Sequence, residues 1–346
     1  MRCCHRRSSP VTDPVRAIAD AVLYEGYLLW PYRRSATKNQ RRWTFGGVHP
    51  RAHSERHPDD AWVMRAACLL EGGDDARVEV RARFLQVVAR GVARQGATGL
   101  EAVDELTVGG TRHLAWDEAA EREVALPALS LGELLAAPAT VAIDLPAGRA
   151  EEALREPEGA RAGAIVRTWE PLAGTLEARA ERVADGVARV SVTIANTTPW
   201  PGGGREAALR RTFCSTHAVL RAAGGAFVSQ TDPPERLRAA ADACRNEGCW
   251  PVLVGEPGDR STVLASPIIL EDHPRIAPES PGDLFDGGEI DQLLVLNILS
   301  LTDAEKAEMR DTDPRAREIL ERTEALTPEQ LMRLHGAIRE FGMARP

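Results

Sequence analysis

Lysine is nearly missing from this chain. Only Lys38 and Lys306 are lysines among its 43 basic residues; the rest are arginine. With alanine abundant, that bias fits a GC-rich bacterial genome better than a special demand for guanidinium. Long apolar runs are also lacking. No stretch of about 18 uncharged apolar residues occurs, so no transmembrane helix is expected. No apolar core follows the basic residues of MRCCHRRSSPVTDP (1–14), so this segment is not a secretory signal and a cytoplasmic protein is expected. Phosphate-binding signatures are absent too: there is no G-x-x-x-x-G-K-S/T, and the glycines of TPWPGGGRE (198–206) are not in dinucleotide-binding order. No G-x-S-x-G nucleophile elbow occurs. The 6 cysteines of a long cytosolic chain are not a disulfide framework. No cofactor is implied.

What is present suits a globular protein. At 346 residues the chain can bury a sizeable core, as one large domain or two, and 43% hydrophobic with 27% charged residues is ordinary. The net charge of −8 conceals a segregation. Between Tyr24 and Arg51 stand Arg33, Arg34, Lys38, Arg41, Arg42 and Arg51 against Glu25 alone, whereas residues 265–313 are strongly acidic. Such asymmetry concerns association and steering rather than fold.

Residues 1–14 read as a disordered tail, with Cys3, Cys4 and His5 too crowded for a good tetrahedral site. Residues 15–60 form a basic aromatic arm that begins as an amphipathic helix. There Trp30, Tyr32, Trp43 and Phe45 interleave with Arg33, Arg34, Arg41 and Arg42. Single-stranded nucleic acid is held by such mixtures, since bases stack on rings while guanidinium groups take phosphates. Overall acidity and the lack of a nucleic-acid-binding motif favour packing of the rings on the core, or docking on an acidic surface.

At the other end, residues 271–287 form an acidic, proline-rich loop carrying Asp272, His273, Glu279, Asp283 and Asp286. Its prolines and glycines exclude regular structure and stiffen it as an interaction surface. Two blocks, YEGYLLWPYRRSATKNQRRWTFGGVHP (24–50) and the segment from DPPERLRAAADACRNEGCWP through FDGGEIDQLL (232–294), resemble a bacterial family encoded among [NiFe]-hydrogenase structural and maturation genes. The resemblance implies a hydrogenase-associated accessory protein working through contacts with hydrogenase subunits or maturation factors. It implies no activity, cofactor or catalytic residue.

Between the blocks, residues 61–270 read as a β-rich core. Val78, Val80, Ala82 and Phe84 alternate with Arg77, Glu79, Arg81 and Arg83, as on a half-buried strand. Further strands are expected at 62–70, 111–116, 120–126, 140–145 and 164–169, and a short helix at 131–136. Residues 174–183 and 187–195 should pair across Asp185-Gly186. A second hairpin is expected between 209–221 and 226–230 across Gly224-Gly225. A helix over 233–246, capped by Asp232, should lead into strands at 250–255 and 261–270. Residues 288–346 form a helical C-terminal region, with capping boxes at Thr302/Glu305 and Thr327/Gln330. The fold expected is α+β: an antiparallel β-sandwich or open barrel with C-terminal helices.

Two constellations could hold a metal. Cys214, His217, Cys244 and Cys249 make a Cys3His set, but Cys214 and His217 fall three apart on a strand and so face opposite ways. Asp272, His273 and Glu279, with Asp283 and Asp286 nearby, could serve a metal-dependent hydrolase, although only one histidine is at hand. Turn-capping is the plainer reading of those side chains, and an interface role accounts for the loop better than a metal site does. A β-sandwich binding module unrelated to hydrogenase is the third alternative.

Overall fold

One strand organises the fold: β1, Val63–Gln95, runs for 33 residues and touches most of the others. The structure, a computed structural model, describes residues 14–24, 45–275, 295, 297–327 and 329–330. After β1 come β2 (Leu100–Val103), β3 (Glu105–Val108), β4 (Thr111–Leu114), β5 (Trp116–Ser130), β6 (Ala139–Leu145) and β7 (Gly148–Arg155). They are followed by β8 (Arg161–Trp169), β9 (Leu172–Ala184), β10 (Val187–Asn196), β11 (Cys214–Phe227), β12 (Trp250–Leu253) and β13 (Thr262–Ser266). Eleven of these strands form one sheet along the path β12-β13-β11-β1-β10-β9-β6, with β2, β5 and β8 also on β1, and β7 on β8. β3 and β4 pair separately. Every pairing is antiparallel.

β1 changes partners as it goes: β10 along 63–71, β11 along 70–85, β5 along 77–90 and β8 along 89–94. Its even-numbered residues at 64–70 and again at 76–84 face one core, with Val190, Val192 and Ile194 of β10 and Leu172, Leu176 and Ala178 of β9. The period-two pattern at 77–84 is therefore a strand with one buried face. The fold is α+β, an antiparallel sandwich or open barrel.

Helices decorate it, among them α1 (Pro14–Tyr24), α2 (Arg51–Ser54), α3 (Leu131–Ala136), α4 (Arg205–Leu209), α5 (Arg238–Asp242), α6 (Asp303–Thr312) and α7 (Pro314–Glu324). Ser130 and Glu133 cap α3 reciprocally, and its Leu131 and Leu134 close the main core. α1 lays Val15, Ala19 and Val22 on Val219, Val252, Val254 and Leu264 of the outer sheet face. Arg83, only 5% exposed, reaches from β1 to Asp20 of α1 and lies near Glu121 and Glu123. α6 and α7 cover Leu85 and Val87 with Met309, Ile319 and Leu320. Thr302/Glu305 and Thr327/Gln330 make both of the expected capping boxes.

Three expectations are corrected. The strands expected at 62–70 and 78–84 are one strand, because the register against β11 slips between Gly72 and Arg77 and absorbs the Gly-Gly-Asp-Asp segment as a bulge. Arg182 steadies that bulge by donating to the Gly72 carbonyl (3.1 Å) and to Asp74. The hairpin across Gly224-Gly225 does not form; β11 runs straight through, with Gly225 opposite Gly72. The helix expected over 233–246 is a 3-10 turn, Glu235–Leu237, followed by the five residues of α5. It stops because Asn246 is recruited elsewhere, accepting from the Ala67 backbone (2.7 Å) and donating to Gln230 (3.0 Å). The Asp185-Gly186 hairpin forms as expected, with Gly186 at φ 65° where its turn needs it.

Candidate functional site

The four residues of the Cys3His set occupy different surroundings. Cys214 packs with Leu85 and Leu209, Cys249 lies in the main core, and Cys244 sits under Leu237 and Ala241. Cys249 donates to the Arg65 carbonyl (3.2 Å) and Cys244 to the Ala240 carbonyl (3.6 Å). Burial pushes the Cys249 thiol up to about 12 and raises Cys244, so neither is a ready thiolate. His217 is wholly buried on β11, its Nδ1–H donating to the Ser215 carbonyl (3.1 Å).

Asp272 and His273 act as a clamp. One carboxylate oxygen of Asp272 accepts from Ser229 (2.5 Å) and Thr231 (2.8 Å), and the other from the Leu253 backbone (2.8 Å). The His273 amide returns a bond to the Leu253 carbonyl (2.7 Å), with His273 at φ 56°. These donors hold the start of the acidic loop against β12. Glu279, Asp283 and Asp286 lie outside the described residues, as do Trp30, Tyr32, Arg33, Arg34, Arg41, Arg42 and Trp43.

Chemistry-bearing side chains do converge elsewhere. His49, His53 and Asp60 each present a ligand atom, and these atoms lie within 4.8 Å of one another. None of the three stands out in the motifs above, although the spacing carries a signal: His49, His53 and His57 recur every fourth residue, and Asp60 follows. Residues four apart share one face of a helical turn.

The local fold explains the convergence. Val48 pairs with Phe213 through two backbone bonds, and Asn196 donates to the Val48 carbonyl, which fixes the chain entering His49. α2 then begins at Arg51, directly after Pro50, whose carbonyl accepts from the His53 amide (2.9 Å). The turn stacks His49 on His53 (5.3 Å, 25°) and His53 on His57 (4.3 Å, 27°), while Trp200 meets His53 edge-on (4.9 Å, 88°). The chain turns back so that the His49 amide bonds the Ala61 carbonyl (2.8 Å), bringing Asp60 to the open edges of the rings. Its carboxylate lies 2.8 Å from His53 Nε2 and 3.5 Å from His49 Nε2.

His49 and His53 are 6% and 3% exposed, while the Asp60 side chain is 39% exposed, so the cluster has a buried floor and one open side. Burial lowers His49 to about 4 against the opposing pull of Asp60, leaving a neutral imidazole at neutral pH. For Asp60, burial pulls upward, but the His53 hydrogen bond and the charges of His49, His53 and Arg205 outweigh it; the net direction is down. A carboxylate beside a neutral, buried imidazole can ligate a cation. The open side gives onto a cleft of about 310 Å³ lined by Phe45, Gly47, His49, Asp60, Trp250 and Pro267, among others. No model of a protein family matches the chain, and no curated protein matches it either. Among the described residues no helix is long and apolar enough to cross a membrane.

Proposed function

We propose that this chain is a non-catalytic accessory protein of a [NiFe]-hydrogenase, acting through protein–protein contacts with hydrogenase subunits or maturation factors. The hydrogenase link rests on the resemblance of residues 24–50 and 232–294. One observation supports reading those blocks as a contact surface. Far apart in sequence, they meet at the same cleft: Gly46 packs on Pro267, and Phe45, Gly47, Gly248 and Trp250 line the walls. Phe45 and Trp250 are also 43% and 47% exposed, two of the three large apolar side chains left open among the described residues. Exposed aromatic side chains beside a cleft suit burial against a partner. The competing hydrolase reading loses force because the Asp272 carboxylate already accepts three protein donors.

The test is affinity purification of the chain from its native host. A hydrogenase subunit or maturation factor should co-purify, and Phe45→Ser with Trp250→Ser should release it without lowering thermal stability. Recovery of no hydrogenase component, together with full hydrogenase activity after deletion of the gene, would refute the proposal.

A further inference from the structure

We propose that His49, His53 and Asp60 form a binding site for a single divalent transition-metal ion of the zinc and nickel class. The inference goes beyond the accessory role and does not depend on it.

Hydrogen-bond direction at His49 supplies the first argument. The Thr212 hydroxyl lies 3.1 Å from His49 Nδ1 and 2.8 Å from the Ala208 carbonyl. A hydroxyl has one proton, and the carbonyl must take it. Thr212 is then an acceptor towards His49, so Nδ1 carries the ring proton and Nε2 presents a bare lone pair. That lone pair looks at an Asp60 carboxylate oxygen 3.5 Å away, with no proton between them. Two acceptors face to face are unfavourable unless a cation lies between them. The same Thr212 bond is the outer support that metal-bound imidazoles regularly have, fixing tautomer and ring plane.

Geometry supplies the second. Ligands about 2.0–2.1 Å from a tetrahedral zinc lie about 3.3–3.4 Å apart. The 3.5 Å between His49 and Asp60 is close to such an edge; the 2.8 Å between His53 and Asp60 is an Nε2–H hydrogen bond to the carboxylate, so the ion takes the place of that proton and the carboxylate turns slightly to open the edge. The near-parallel rings aim both Nε2 atoms at the same carboxylate.

Gly47 supplies the third, independent of the ligands. Its φ is not in the left-handed region, so the backbone there would accept a side chain. A Cβ on Gly47 would nevertheless stand 2.8 Å from His49 Nε2, the atom that would take the metal. The bare backbone keeps the ligand atom accessible. Imidazole nitrogens select borderline ions over magnesium or calcium, which prefer all-oxygen shells. Three protein ligands with an exposed carboxylate leave a fourth position open on the cleft side.

The experiment uses untagged, full-length protein stripped with chelator and then titrated with zinc chloride, nickel chloride or magnesium chloride by calorimetry. One equivalent of zinc or nickel should bind per chain, and magnesium should not. Asp60→Asn and His53→Ala should each weaken binding by about tenfold or more. Gly47→Ala retains every ligand and should weaken binding comparably, with melting of the metal-free protein reporting that it is folded. Substoichiometric binding by the wild type, or wild-type affinity retained in Asp60→Asn and in Gly47→Ala, would overturn the proposal, since the metal would then lie elsewhere.

Discussion

His217 should make the protein acid-sensitive in a defined window. It is wholly buried on β11, and burial lowers its pKa from the ordinary 6.5 to about 4. The nearby Arg83 charge pushes the same way, while the Ser215 carbonyl and Asp20 oppose it. Its Nε2 is buried with no hydrogen-bond partner among the described residues, so a second proton there would find none of them to bond. Unfolded, the imidazole protonates near 6.5; folded, near 4. Above 6.5 both states are neutral and the residue contributes no pH dependence. Between the two values the unfolded chain holds the extra proton, so stability falls as pH falls, by up to about 1.4 kcal/mol per pH unit and roughly 3 kcal/mol in all. The informative variant is His217→Asn, whose amide can still donate to the Ser215 carbonyl but does not titrate. Urea unfolding of both proteins in chelator from pH 7.5 to 4 gives a difference curve in which His49, common to both, cancels. The wild type should lose its stability advantage progressively below pH 6.5. A difference that stays constant across the range would refute the assignment of a buried neutral imidazole.

Other perturbations read other parts of the fold. Phe84→Ala removes a fully buried ring stacked on Phe213 at 4.5 Å and should cost about 3–5 kcal/mol in urea unfolding; a loss below about 1 kcal/mol would mean the core is not packed around that pair. Arg83→Met removes a buried guanidinium shared by Asp20, Glu121 and Glu123, which are partly exposed and keep Arg16, Arg315 and Arg81 as partners, so the loss should be about 1–3 kcal/mol with hydrogen exchange rising selectively in α1. Asp272→Ala deletes the acceptor for Ser229, Thr231 and the Leu253 amide; exchange at Leu253 should accelerate, and unchanged protection there would show that the clamp holds nothing.

The elements legible from sequence are those whose cause is local. Alternation at 77–84 marks a strand because one face of β1 meets the core and the other meets charge. Asp185-Gly186 marks a hairpin because the turn itself needs positive φ. The capping boxes at Ser130/Glu133 and Thr302/Glu305 close within four residues, so tertiary context is not needed to see the latter or to place α3. Misread elements depend on distant partners. Gly72 and Gly225 look like breakers in isolation, yet each lies opposite the other, so two bends match and both strands continue. The helix expected over 233–246 follows its propensity, but α5 ends at Asp242 and Asn246 bonds the Ala67 amide of β1, a partner far away in sequence.

The same distinction separates the residues that look reactive in sequence from those that the fold brings together. Asp272 and His273 invite a functional reading because acids crowd a stiff loop, yet the residue is consumed in holding that loop to β12. His49, His53 and Asp60 look unremarkable beside the arginine-rich arm, since α2 is only one turn long and shows no amphipathic period. What converts their spacing into a site is outside the segment: Thr212 sets the tautomer of His49, Asn196 and Phe213 pin the chain before it, and Trp200 backs His53. These supports come from residues 196–213, between β10 and the start of β11, and none shares a motif with the histidines. A site assembled this way is rigid where its ligands are buried and open only at Asp60. Metal occupancy should therefore be governed from the cleft side, where Phe45 and Trp250 stand exposed. A partner seated on those aromatics would cover the open coordination position. The partner and the ion should then stabilise one another, and an interface variant such as Trp250→Ser should leave metal affinity in the isolated chain unchanged while abolishing that mutual effect.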